Sequence, residues 1–308
     1  STKSVGLGIV ELASTFDDLK PDMVITVADR FETISTAIAS SFMNIPLVHI
    51  QGGEVTGSID EKVRHSITKL SDLHLVSSED AADRVYKMGE HKDSIFVTGC
   101  PSIDLAKEIL KNPELDFNPF EKYGGVGSKF DFKEGYVVVM QHPVTTEYSD
   151  SFTQITETLF AAKELDLPTF WFWPNVDAGS DGTSHAIRDF REKYELPKIH
   201  FFKNMEPFDF LRLLKNSKGI IGNSSVAIRE CSFLGVPAIN IGTRQDGRLR
   251  GNNVIDTDYT KSSIITNAKK YLGKSFQKEE IFGSGDSGKK IANILATFDF
   301  KTDKKIRY

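Results

Sequence analysis

The segment GIIGNSSVAIRECSFLG ends a β-type run in Gly222-Asn223-Ser224-Ser225 and then takes on helical spacing. Free N–H groups of a first helical turn, two serine hydroxyls and the positive end of a helix dipole would hold a diphosphate without net positive charge. Glu230, a turn or so further on, is placed to accept hydrogen bonds from the two hydroxyls of a ribose. Ordinary serine capping with a surface carboxylate accounts for the same residues equally well. Gly235, before Val236-Pro237, reads as the glycine that closes the helix. Beyond the next strand, GTRQDGRLRGNN sets Arg244, Arg248 and Arg250 among glycines. Arg244 comes first after the strand, and a guanidinium fork suits phosphate oxygens; the other two read as solvated or structural.

Groups able to move protons gather in the first half. Asp29 and Arg30 end a strand in ADRFE, and Glu54 and Asp60 flank the turn in HIQGGEVTGSIDEKVRH, where the glycine pair would let backbone approach a ligand. Two acids beside a sugar can divide acid and base roles when their surroundings push their pKa values apart. Taken singly, each is more often a helix cap or an ion-pair partner. His142 in QHPVTTE, at a strand end and followed by proline, reads as a proton donor or phosphate ligand, and is favoured over His49 inside an apolar strand. No HEXXH-type spacing, Walker lysine or dinucleotide glycine fingerprint is present, so no motif calls for a metal, for ATP hydrolysis or for a nicotinamide cofactor. Cys100 and Cys231, flanked by small and apolar residues, suggest neither a disulfide framework nor a thiolate metal site.

These residues need strands that end beside one another. Short β-rich runs at 23–28, 47–50, 73–78 and 95–99 alternate with amphipathic stretches, and a second series lies at 136–142, 169–175, 198–202, 219–223 and 237–242. Runs apolar on both faces, separated by helical segments, predict parallel sheets covered by helices. Ser58 and Glu61 have capping-box spacing before VRHSITKL. The stretch 110–134, rich in Gly, Pro and charge, reads as an inter-domain connection. The fold class expected is α/β with two Rossmann-like domains around a cleft. The first domain spans 1–125, with the C-terminal helix at 286–308 packed back on it, and a second, ligand-binding domain spans 135–285. Ligands then bind at the carboxyl ends of the strands.

The 308 residues carry a net charge of −5 with both signs interspersed, which gives no basic stripe for nucleic acid. No apolar run is long enough to span a membrane and no signal peptide is apparent, so a cytoplasmic location is expected. The basic end KTDKKIRY reads as a solvated tail.

The segments ADRFETISTAIAS, MNIPLVHIQGGEVTGSIDEKVRHSITKLSDLHL, VTGCPSIDL, QHPVTTE, PNVDAGS, IGNSSVAIRE and INIGTRQDGR resemble the hydrolysing UDP-N-acetylglucosamine 2-epimerases. The resemblance runs from about Val5 to the C-terminal helix, with the motifs in the family's order. It implies a glycosyltransferase-B type of fold and a UDP-sugar substrate, either UDP-N-acetylglucosamine or UDP-N,N′-diacetylbacillosamine, in nonulosonic acid synthesis. It also implies a homo-oligomer, dimer or tetramer, and no cofactor. By resemblance, Asp29 and Asp60 are catalytic acids, Arg30 contacts UDP, and His142 is the family histidine. The nucleotide positions are Asn175, Asp177, Ser224, Ser225, Glu230 and Arg244, beside Asn223 from the phosphate segment.

Two departures stand out. Gln51 occupies the place of a glutamate that is catalytic in several family members, so Glu54 or Asp60 must take its work or catalysis is weakened. Family members also carry roughly two or three βα units before SVGLGIVEL, so the first domain is expected to lack its beginning. Two rivals stay open: a non-hydrolysing epimerase that returns UDP to the sugar, and an inactive sugar-nucleotide binding module.

Overall fold

The computed structural model describes residues 2–56, 60–174 and 180–305. Two compact units result: Ser1–Asp104 with Phe282–Tyr308 (unit 1), and Leu105–Ile281 (unit 2). Residues 105–125, expected in the first domain, group with unit 2.

Unit 1 alternates α1 (Thr2–Leu19), β1 (Val24–Val27), α2 (Phe31–Phe42), β2 (Leu47–Ile50), α3 (Asp60–Leu70), β3 (Leu73–Val76), α4 (Glu79–Lys87) and β4 (Ile95–Val97). The sheet order is β1-β2-β3-β4, every pair parallel. In β2, Leu47 packs with Phe16, Ala37 and Ile67, while Val48 and Ile50 pack with Leu73, Leu75 and Ile291. Alternate side chains leave a strand on opposite faces, so LVHI is buried on both. β1 differs: Val24 and Thr26 are buried, but Ile25 and Val27 are 44% and 46% exposed, as at a sheet edge. Ser58 lies outside the described residues; α3 begins at Asp60, and Glu61 Oε2 accepts from Thr56 N at 3.1 Å.

α5 (Pro101–Ile109) leads from unit 1 into α6 (Pro119–Tyr123) and β5 (Val126–Gly127). Unit 2 continues with β6 (Val137–Met140), α7 (Ser151–Leu165), β7 (Thr169–Phe172), α8 (Ser180–Lys193), β8 (Ile199–Phe202), α9 (Pro207–Lys215) and β9 (Ile220–Gly222). Then follow α10 (Glu230–Leu234), β10 (Ala238–Ile241), β11 (Val254–Thr257) and α11 (Lys261–Tyr271). The sheet order is β11-β10-β9-β6-β7-β8-β5, with β5 antiparallel to β8 and the rest parallel. The last helix, α12 (Ser287–Thr297), returns to unit 1 and supplies Ile291 to its core.

The stretch 110–134 is not a bare connection. Phe120, Phe130 and Phe132 stand 5.5, 5.2 and 5.6 Å from the ring of the fully buried Phe170, and β5 adds an edge to the sheet. Phe120 is buried and Phe130 and Phe132 are half-buried, aromatic anchors without helical or strand period, so no pattern betrays them; full burial of one such ring contributes roughly 1.5–3 kcal/mol.

Candidate functional site

In unit 2 the strands β6, β9 and β10 pair side by side. Gly222 closes β9 at φ 142, and a Cβ there would collide with the Met140 carbonyl, so only glycine lets the two strand ends approach. Asn223 follows, fully buried. Its Oδ1 accepts from His142 N at 2.7 Å and its Nδ2 donates to His142 O at 2.8 Å, clamping the first polar turn after β6. The Asn223 carbonyl accepts from Arg244 Nη1 at 3.2 Å and from Gln245 Nε2 at 2.8 Å. The ends of three strands are thus tied through one asparagine.

Burial, and secondarily the Arg244 guanidinium nearby, push His142 down to about 3. The imidazole is therefore neutral at neutral pH; it can offer an N–H to a phosphate oxygen but holds no imidazolium proton to give.

The helix expected directly after Asn223 does not form as one piece. Ser224 Oγ accepts from Val226 N at 3.4 Å and caps a 3₁₀ turn at Ser225–Ala227; Arg229, at φ −88 and ψ −74, breaks the run, and α10 has only five residues. The helix dipole is correspondingly small, so anion binding here rests on hydroxyls, N–H groups and Arg244. Gly235 does close α10, left-handed at φ 69 and ψ 26. Arg248 is buried against Gln245, and Arg250 pairs with Asp256, both structural roles. Glu230 opens α10, and its Oε2 is buried with no hydrogen-bond partner among the described residues. Such an oxygen is costly to leave unmet, and a ligand hydroxyl would satisfy it.

In unit 1 the ladder runs one residue past β1 and β2, with Ala28 N donating to Ile50 O and Gln51 N to Leu75 O, both at 2.9 Å. Ala28 and Gln51 then turn left-handed, at φ 63 and 65. Non-glycine residues there are strained by roughly 1–3 kcal/mol each and need support. His49 Nε2 lies 2.9 Å from Ala28 O, with Nδ1 3.1 Å from Thr68 Oγ1, and burial pushes this imidazole down to about 3. Neutral His49 therefore holds the turn that presents Asp29. Gln51 donates Nε2 to Cys100 Sγ at 2.8 Å. The glycine pair serves packing within unit 1: a Cβ on Gly52 would meet His49 Nδ1 at 2.9 Å, and one on Gly53 would collide with the Ala81 carbonyl.

Arg64 is the residue that sequence reasoning missed. Its side chain is 2% exposed, yet it donates to Asp29 Oδ2, 35 residues away, to Glu54 O at 2.7 Å and to Thr56 Oγ1 at 3.4 Å. Glu54 is itself buried, with its Oε1 accepting from Ser77 Oγ at 2.6 Å. Asp60 begins α3 four residues before Arg64, so both lie on one helix face. The available signal was an arginine between Val63 and Ile67 on the apolar side of α3, where a cation must find partners.

Unit 1 thus brings Asp29 and Glu54 together through Arg64, with Gln51 beside Cys100. Arg30 is exposed and forks to Glu32 at 3.2 and 3.3 Å within the first turn of α2. Unit 2 brings together His142, Asn223, Ser224 and Arg244. Asn175 and Asp177 lie outside the described residues. Among the described residues, no group of three or more His, Cys, Asp or Glu is arranged to hold a metal ion, and no helix is long and apolar enough to cross a membrane.

Comparison with known proteins extends over nearly the whole chain. The family described as UDP-N-acetylglucosamine 2-epimerase matches residues 1–296. A UDP-N,N′-diacetylbacillosamine 2-epimerase (hydrolyzing) of Legionella pneumophila is 32% identical, over 96% of this chain and 76% of its own. A UDP-N-acetylglucosamine 2-epimerase of Neisseria meningitidis is 35% identical, over 92% of this chain and 72% of its own. Among solved structures, that of the Methanocaldococcus jannaschii UDP-GlcNAc 2-epimerase, in complex with UDP-GlcNAc and UDP, superposes with a TM-score of 0.79. Its identity is 21%, over 95% of this chain and 80% of the other, which shows a common α/β fold of the glycosyltransferase-B type.

Proposed function

Because the chain belongs to the UDP-N-acetylglucosamine 2-epimerase family, we propose that it is a hydrolysing 2-epimerase that converts a UDP-2-acetamido sugar into UDP and the free 2-epimeric sugar. The observation that carries the nucleotide half of this reading is the set at the strand ends of unit 2. Neutral His142, Arg244 and Ser224 are donors suited to a diphosphate, and the unmet Glu230 Oε2 is an acceptor suited to ribose hydroxyls.

A carboxylate takes the proton from carbon 2 of the sugar while the bond from carbon 1 to the UDP oxygen breaks, leaving a 2-acetamidoglycal and UDP. Water then adds, with its oxygen bonding carbon 1 and a proton returning to carbon 2 on the opposite face. Asp29 and Asp60 are the proton-transfer groups. Gln51 cannot take a proton, so the work of the family glutamate falls to Asp60 or to the buried Glu54. His142, Arg244 and the Asn223–Ser225 turn stabilise the leaving diphosphate. The sugar is UDP-N-acetylglucosamine, giving N-acetylmannosamine, or its 4-acetamido analogue UDP-N,N′-diacetylbacillosamine, named respectively for the Neisseria and Legionella relatives. A cytoplasmic homo-oligomer accompanies this reading by family resemblance.

Both UDP-sugars are to be incubated with the protein in heavy water and the products analysed by mass spectrometry. One non-exchangeable deuterium at carbon 2, with free UDP released in equal amount, is expected. Deuterated sugar still attached to UDP, or released sugar without deuterium, would overturn the assignment.

A further inference from the structure

The loop after β6 carries a carboxylate that the reaction does not use. Glu147 lies in a 3₁₀ turn at Thr145–Asp150, five residues beyond His142, and is half-buried. Its Oε2 accepts from Tyr259 OH and from Gln154 Nε2, both at 2.8 Å, and its Oε1 accepts from Thr243 Oγ1. The donors come from α7, from the turn after β10 and from the residues after β11. Burial works against the charge, but these three hydrogen bonds outweigh it and hold the carboxyl below its usual range, so Glu147 is an anionic acceptor.

The turn it grips is narrowly determined. Gly242 sits at φ 68 with the Tyr259 ring where a Cβ would be, and Tyr259 OH also accepts from Thr243 N at 3.3 Å. The next residue is Arg244, which donates to Asn223 O; Asn223 clamps both main-chain groups of His142, from which the chain runs back to Glu147. The hydrogen bonds close on themselves around three strand ends. A carboxylate would repel a diphosphate, so Glu147 is no ligand for one; its oxygens are occupied by protein donors instead.

We propose that Glu147 is a positioning residue, whose carboxylate fixes the Gly242-Thr243 turn and thereby aims Arg244 at the diphosphate of the substrate. This rests on the nucleotide reading of unit 2. Glu147 acts through Arg244, so its effect must vanish when that guanidinium is removed.

The test is a double-mutant cycle on the full chain, titrated calorimetrically with UDP and paired with amide hydrogen exchange of the ligand-free protein. Glu147→Ala should weaken UDP about tenfold in the native background and less than about twofold in the Arg244→Ala background. Thr243→Val, which lacks the hydroxyl, should weaken UDP by about threefold or more, while Thr243→Ser restores it. KM should rise more than kcat falls. Exchange at residues 243–245 should quicken in Glu147→Ala and Thr243→Val but not in Thr243→Ser. An equal loss of UDP affinity in both backgrounds, or unchanged exchange at 243–245, overturns the proposal. If the native protein fails to bind UDP while exchange still follows this pattern, the nucleotide reading falls and the control of Arg244 by Glu147 stands.

Discussion

Asn223 in unit 2 and Arg64 in unit 1 do the same job by different means. Each is buried, and each ties together groups that emerge from separate strand ends. The Asn223 side chain works through neutral hydrogen bonds to main chain, and the nearby Gln245 and Thr243 have further partners of their own in Arg248 and Glu147. Arg64 is a single cation that holds a carboxylate, a carbonyl and a hydroxyl, next to two strained residues, Ala28 and Gln51. A network of neutral bonds loses strength gradually when one member goes. A buried cation in an ion pair is not replaced by its neighbours, and its removal strands the charge it neutralised.

The largest effect is therefore expected at Arg64. Arg64→Met should cost about 3 kcal/mol in urea unfolding and lower turnover more than about a hundredfold, while the UDP affinity measured by calorimetry stays within about twofold. Loss of UDP binding in this variant would break the contrast between the units.

Asn223→Ala comes next. It leaves the His142 N–H and C=O without their partner and should cost about 2 kcal/mol of stability, with UDP affinity falling about tenfold or more. Acid titration touches both units. His142 and His49 each ionise near 6.5 when unfolded but near 3 when folded, so the unfolded chain binds more protons between these values. Stability is whole above pH 6.5 and falls as pH drops towards 3, by about 2 kcal/mol for each histidine near pH 5. Unfolding midpoints at pH 7 and pH 5 should show this drop, and His142→Gln should remove its own share. The smallest expected effect sharpens the nucleotide reading. Native protein should prefer UDP over 2′-deoxy-UDP, and Glu230→Ala should weaken UDP about tenfold while erasing that preference.

What the sequence disclosed about the fold was the alternation of short apolar runs. LVHI, LHLV, TFWF, IHFF and AINI are each buried on both faces, and that is the pattern that reads as a parallel strand. Residues 117–132 escaped because aromatic anchors such as Phe120 and Phe130 find one ring, Phe170, without a period. Strand-end residues such as His142, Asn223 and Arg244 were legible by position, because a turn after a parallel strand is where polar groups can face a ligand. The couplings were not legible: Arg64 meets Asp29 across 35 residues, and Glu147 meets Tyr259 across 112, separations that no local motif spans. The helix after Asn223 was overread because Ser-Ser before a helical pattern signals a cap whether the helix that follows is long or broken.

The division of labour has one direct test: UDP binding by Asp29→Asn, which keeps the size of the side chain and removes the base. Calorimetric titration should give a UDP affinity within about twofold of the native protein, in a variant whose turnover of UDP-sugar has fallen at least about a hundredfold. An Asp29→Asn protein that loses UDP as severely as Arg244→Ala, or that turns over undiminished, would contradict the assignment of nucleotide binding to unit 2 and proton transfer to unit 1.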